Sequence, residues 1–217
     1  MPQSYTFNNI IMVPCYSLPF RCTLCYMSES TIVKAQPKKT ILRITLVSLF
    51  AALIAGGSFV KIPLPFSPIP IVMQNLFTVL SGLVLGPVLG SAAVALYLFA
   101  GALGLPVFSG VGGGIARFAS PTGGYLIGYC LAALSAGLVA GQPNKDASLF
   151  RIVLAATLGF LIVYIPGLLW LYRFMESWPK TFTGGFFPFL IGDVIKIALA
   201  APAAKRLRKT AANQLYE

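Results

Sequence analysis

The sequence has no histidine, and only 5 of its 217 residues are Asp or Glu. The first absence removes the commonest general base and metal ligand. The second removes paired carboxylates, because Asp193 is the one acid inside an apolar run. No G-x-x-x-x-G-K-[ST] pattern occurs, so the chain does not hold ATP through a Walker A loop. Charge of any sign is scarce. Charged residues make up 10% of the chain, against about 25% in an average soluble domain. A soluble fold of this length needs a polar skin that so few charges do not supply. A hydrophobic content of 57% excludes an intrinsically disordered chain. What remains is an integral membrane protein of one domain.

What is present is a series of apolar runs. They cover Ile41 to Val60, Ile69 to Gly86, Val88 to Leu105, Thr122 to Gly141, Leu149 to Tyr172 and Gly184 to Pro202. Each is close to the ~20 residues that cross a bilayer as a helix. Prolines and glycines separate them: Pro63, Pro65, Pro68 and Pro70, then Gly86-Pro87, Pro106, Pro143 and Pro179. A β-barrel would show shorter, alternating segments. The expectation is an all-α integral membrane protein with six transmembrane helices.

Basic residues orient those helices. With both termini cytoplasmic, the inner set is Arg21, Lys34, Lys38, Lys39, Arg43, Lys145, Arg151, Lys205, Arg206, Arg208 and Lys209. The outer set is only Lys61, Arg117, Arg173 and Lys180, as the positive-inside rule requires. These residues flank apolar runs and form no aromatic-studded patch, so nucleic acid is not a partner; membrane lipid is. The domain reading is a tail over 1–39, a six-helix membrane domain over 40–205 and a basic cytoplasmic C-terminal tail over 206–217. The first tail lacks the layout of a signal peptide. It reads as disordered, or as untranslated with Met27 as the true start. Cys22 and Cys25 have metal-like spacing but form a lone half-site, so no metal is assigned.

Four stretches carry local signals. Asp193 and Lys196 are three apart and share one face of the last run. Ionisable groups at membrane depth mark a functional site by default, against the alternative of a structural pair. The segment 105–125 holds Gly112-Gly113-Gly114 and Arg117, a fork-shaped anion donor. It suits a ligand-covering lid, or equally a plain flexible loop with Arg117 solvated. It is not a dinucleotide fingerprint, because the spacing fails at Ile115. Alternating prolines at 63–70 favour a stiff extended wall, and Gln74 and Asn75 follow as hydrogen-bonding groups or as interhelical packing polarity. Ala51 and Ala55 give the first run a small-residue face for internal packing or for a partner.

Together these stretches resemble the BioY family of biotin transporters, the substrate-binding S components of energy-coupling factor importers. The likeness covers roughly residues 45 to 205. It rests on Lys61-Ile62-Pro63-Leu64-Pro65 with Pro68-Ile69-Pro70-Ile71, on Gly86-Pro87 with Gly90, and on Gly104-Leu105-Pro106-Val107-Phe108. It continues through Pro121-Thr122-Gly123-Gly124-Tyr125-Leu126-Ile127-Gly128 and ends with Gly192-Asp193-Val194-Ile195-Lys196. Ser120 stands where the family usually has glycine, and Ile191 where it often has proline.

The resemblance implies a non-enzymatic subunit of the cell membrane that holds biotin near the external face. Asp193 would accept from the ureido N–H groups, and Asn75 or Gln74 would pair with the ureido carbonyl. Lys196 and Arg117 would neutralise the carboxylate. Tyr125, Phe108 and Tyr97 would pack on the ring, and Gly112, Gly113 and Gly114 would close over it. Ala51 and Ala55 would dock a transmembrane coupling protein that works with two ATPase subunits. No cofactor is implied. The alternatives are an S component for another small vitamin, a membrane enzyme, or a structural membrane partner.

Overall fold

A computed structural model describes residues 37–65, 67–144 and 147–215. The N-terminal tail, the Cys22/Cys25 spacing and the Met27 start lie outside the described residues.

Helix α1 covers Pro37–Phe59, and a two-rung hairpin of β1 (Lys61–Ile62) and β2 (Ile71–Val72) follows. Then come α2 (Gln74–Ala102), a short 3-10 turn (Ile115–Ala119), α3 (Gly123–Ala140), α4 (Leu149–Met175), α5 (Trp178–Gly185) and α6 (Phe187–Leu215). Among the described residues five helical stretches, not six, are long and apolar enough to cross a membrane. The difference lies in α2, which absorbs the second and third apolar runs. Residues 69–73 of the second run are not helical: they lead through β2 into the helix.

α2 is not one straight rod. Gly86 leaves the helical region (φ +83°, ψ −179°), which glycine adopts without penalty, and Pro87 follows. Residues eight apart in a continuous helix are separated by ~12 Å. Here a β-carbon on Gly90 would sit 2.6 Å from the Gly82 Cα, and Ser81 Oγ donates to Gly90 O at 3.3 Å. The chain therefore doubles back at Gly86. The arm 74–85 and the arm 87–102 lie side by side.

The interior is built from small residues. Gly82 lies against the Ala133 carbonyl, Gly137 against Gly86-Pro87, and Gly159 against Ala136. Small residues let helix backbones approach closely, which is how helices associate where lipid supplies no hydrophobic drive. Ile54, Leu83, Leu85, Phe108 and Ile152 fill the core between these contacts, while many other large apolar side chains face outward: Phe150 is 78% exposed, Ile191 74% and Val88 72%. An apolar outer surface is one that lipid solvates.

Two expectations about α1 and α6 change. Ala51 is buried in the core and Ala55 is half-buried against it, whereas Ser48, Ala52 and Gly56 are exposed. The small outward-facing stripe is thus one position further along than the Ala51/Ala55 face. The segment 206–217 is not a free tail as far as Leu215: it continues α6, and Arg208 is buried within it.

Candidate functional site

A cavity of about 410 Å³ lies at one end of the helices. The proline-rich segment walls it through Lys61, Pro63, Leu64, Ser67, Pro68, Ile69 and Pro70. Proline has no N–H to donate, so the hairpin ladder stops at Ile62 and Ile71, and Pro63, Leu64 and residues 67–70 line the cavity outside it. Ser67 pins this segment. Its Oγ accepts from Ile69 N at 3.1 Å and donates to the Gly184 carbonyl at 2.5 Å.

The polar floor comes from α2, α4 and α6. Asp193 Oδ1 accepts from Asn75 Nδ2 at 3.3 Å and from Lys196 Nζ at 3.4 Å. Lys196 Nζ also donates to Asn75 Oδ1 at 2.8 Å. Asp193 Oδ2 accepts from the Tyr164 hydroxyl. Asn75, Asp193 and Tyr164 line the cavity, and Lys196 does not. The ammonium lies behind Asp193, where it balances the carboxylate's charge. Its expected contact with a ligand anion is therefore displaced. The i, i+3 spacing that put the two groups on one helix face also pairs them with each other.

Gln74 is almost wholly buried, lines the cavity, and its Nε2 has no hydrogen-bond partner. Ser109 Oγ is a second buried cavity-lining atom without a partner. A buried donor left unpaired costs ~1–3 kcal/mol. Such a group in a cavity wall is open to a molecule that enters the cavity, water or ligand.

Arg117 and Lys61 supply positive charge at the other part of the wall. A β-carbon on Gly110 would lie 3.6 Å from Arg117 Nη2 and 3.7 Å from Lys61 Nζ, so the two cations converge there. Gly112, Gly113 and Gly114 do not line the cavity. They form a turn held by backbone hydrogen bonds. Phe108 N donates to Gly112 O at 2.9 Å, and Gly114 N to Gly101 O at 2.7 Å. A β-carbon on Gly112 would fall 2.2 Å from Arg117 Nε. That glycine is needed so that the guanidinium can lie flat on the loop backbone.

Of the expected aromatic residues, Phe108 and Tyr125 reach the cavity and Tyr97 does not. Tyr97 stands behind Phe108 in an edge-to-face pair with centroids 5.5 Å apart. Tyr125 donates to the Gly185 carbonyl at 2.9 Å, joining α3 to the break between α5 and α6. Tyr164, Tyr129, Phe160, Val163 and Phe189 also line the cavity and were not expected from the sequence. The available signal was chemical. A tyrosine in mid-span must find a partner for its hydroxyl, and Tyr164 finds Asp193.

Fold and cavity define a class: a helical membrane protein with a cavity of small-molecule size between a hydrogen-bonding floor and a cationic wall. The chain belongs to the BioY family, whose model matches residues 28–213. It is 41% identical over 165 residues to the probable biotin transporter BioY of Pyrococcus horikoshii, covering 76% of this chain and 95% of that one. It is 40% identical over 161 residues to the biotin transporter BioY of Thermotoga maritima, covering 74% and 92%. Its structure is similar to a crystal structure of the S-component for biotin from an ECF-type ABC transporter. The TM-score is 0.68 at 29% identity, with 78% of this chain and 92% of that chain covered. The fold is that of an S-component, in a multi-pass membrane transport protein.

Proposed function

We propose that this chain is the biotin-binding subunit of an energy-coupling-factor importer, a transport protein and not an enzyme. The observation that carries the reading is the cavity's division of labour. At one part, Gln74 Nε2 waits for an acceptor beside an acidic acceptor, Asp193; at another, Arg117 and Lys61 wait for an anion. Biotin has a ureido group with two N–H donors and a carbonyl, an apolar ring, and a carboxylate at the end of a chain. Family membership supports the same ligand.

Asp193 already accepts three hydrogen bonds. An ionised carboxylate has about four acceptor sites, so capacity is left for a ureido N–H. Asn75 already bonds Asp193 and Lys196 through one N–H and one lone pair, whereas Gln74 Nε2 has no partner among the described residues. Gln74 is the donor we assign to the ureido carbonyl, with the second N–H of Asn75 beside it. Phe108, Tyr125 and Tyr129 offer ring faces to the thiophane. Arg117, with Lys61 beside it, takes the carboxylate.

Counting the two arms of α2 separately, the chain crosses the membrane six times, with both termini cytoplasmic and the cavity external. Uptake then requires a transmembrane coupling protein and two ATPase subunits. Ser48, Ala52 and Gly56 on α1 offer the coupling protein a close-packing face. The S component rotates bodily in the membrane to present its cavity inside.

The test is purification in detergent, release of bound ligand for mass spectrometry, and calorimetric titration with biotin. Stoichiometric biotin supports the reading. A different vitamin, or no binding at all, refutes it.

A further inference from the structure

Arg208 lies at the end of the helices away from the cavity and is 1% exposed. Its Nη1 donates to Leu83 O at 2.5 Å. Its Nη2 donates to the carbonyls of Ala140, Gly141 and Gln142 at 3.0, 3.2 and 2.8 Å. These carbonyls belong to two helix ends. Leu83 is in the last turn of the arm 74–85, just before the Gly86 break, and Ala140 closes α3. The last carbonyls of a helix have no partner within it and carry the negative end of its dipole. A planar guanidinium satisfies several of them at once and brings a compensating charge, which an ammonium does less well.

Two of the elements joined at this point, the arm 74–85 and α6, carry the Asn75 and Asp193 of the polar floor, and the third, α3, adds cavity-lining tyrosines. The arm 74–85 begins with Gln74 and Asn75, α3 carries Tyr125 and Tyr129, and α6 carries Asp193. Between Lys196 and Arg208, the wholly buried positions of α6 are Ala200, Ala201 and Ala204. Alanine side chains are short, so this stretch packs by close backbone approach rather than by long side chains that interdigitate. The polar anchors at Asp193, Lys196 and Arg208 add directional bonds to that packing.

We infer that Arg208 is a positioning residue for the ligand site. By tying the far end of α6 to the ends of the arm 74–85 and of α3, it sets the register that brings Asp193 against Asn75, ~22 Å away along the helix. The inference rests on the reading of the cavity as the biotin site.

Two measurements test it. Spin labels at the exposed positions Ile127 and Ile191, with the native cysteines replaced, report the α3–α6 separation without ligand. Arg208→Lys is expected to broaden or shift that distance distribution. Arg208→Gln should do so further; if it does not fold, the lysine variant carries the test. The second measurement is a cycle of biotin Kd values for Asn75→Ala, Arg208→Lys and the double variant. Residues this far apart normally act independently, so two tenfold losses would combine to about a hundredfold. Positioning predicts a combined loss below about thirtyfold, because both changes disable the same contact. An unchanged label distribution with an unchanged Kd, or a fully multiplicative loss, overturns the inference. If the wild type binds no biotin, the ligand reading fails alone, and the label distances still decide the role of Arg208.

Discussion

Asp193→Asn is the substitution that separates the cavity's chemistry from its stability. Asparagine keeps the shape and one acceptor oxygen but removes the charge. Hydrogen bonds to a charged group contribute ~1.5–3 kcal/mol and neutral ones ~0.5–1.5 kcal/mol. Replacing the carboxylate beneath a ureido N–H therefore costs ~1–2 kcal/mol of binding, or ~5–30-fold in Kd. The same change leaves the Lys196 ammonium buried without its carboxylate. Breaking a buried pair from one side costs ~3–5 kcal/mol of stability. The retained bond from Lys196 Nζ to Asn75 Oδ1 at 2.8 Å places this case at the lower end. A second substitution, Lys196→Met, removes the orphaned charge. The double variant should regain most of the lost thermal stability but none of the lost affinity, since Lys196 does not line the cavity. Calorimetry in detergent gives the Kd, and a thermal melt in the same detergent gives the stability. An Asp193→Asn variant within twofold of wild-type affinity refutes the assignment of Asp193. A double variant that recovers affinity refutes the placement of Lys196 behind it.

Gly112→Val should expel the Arg117 guanidinium, because a β-carbon there falls 2.2 Å from Arg117 Nε; Kd rises by about the tenfold expected for one lost charged contact, and retention of wild-type affinity would remove Arg117 from the site. Ser67→Ala cuts the link from the proline segment to Gly184, so biotin dissociation measured by stopped flow should quicken by about threefold or more with stability nearly unchanged. Ala52→Leu projects a larger side chain from the exposed stripe of α1 and should lower cellular uptake while leaving biotin affinity intact. Ala51→Leu, one position back, forces extra atoms into the core and should destabilise the protein by ~1–3 kcal/mol. Equal effects of the two leucines on stability and uptake would argue against the assigned faces.

The apolar runs, the scarcity of charge and the placement of the basic residues made the membrane class and the helix-rich fold legible before any coordinate. Asp193, Asn75, Gln74, Arg117, Phe108 and Tyr125, which all line the cavity, also stood out in the sequence, because a polar or glycine-framed group within an apolar chain is conspicuous. Those properties are local. A hydropathy window or a motif is read from neighbours along the chain, and bilayer thickness alone sets the run length.

What sequence spacing did not carry was the direction in which each group faces its neighbours on other helices. Lys196 turned out to bond Asp193, Tyr97 to stand behind Phe108, and Gly112 to lie against the Arg117 guanidinium. Ala51 and Ala52 differ by one residue, yet one faces the core and the other lipid, because a helix turns by ~100° per residue and the packing of α1 selects the inward side. Arg208 shows the limit most clearly. In sequence it is one more basic residue near a C-terminus. In the fold it closes two helix ends, because the reversal at Gly86 and the end of α3 bring orphaned carbonyls from residues 83 and 140–142 to a single point. Composition and period determined that there would be membrane helices; only tertiary packing decided which polar group meets which, since Asn75 meets Lys196 across 121 positions and Arg208 meets Gln142 across 66.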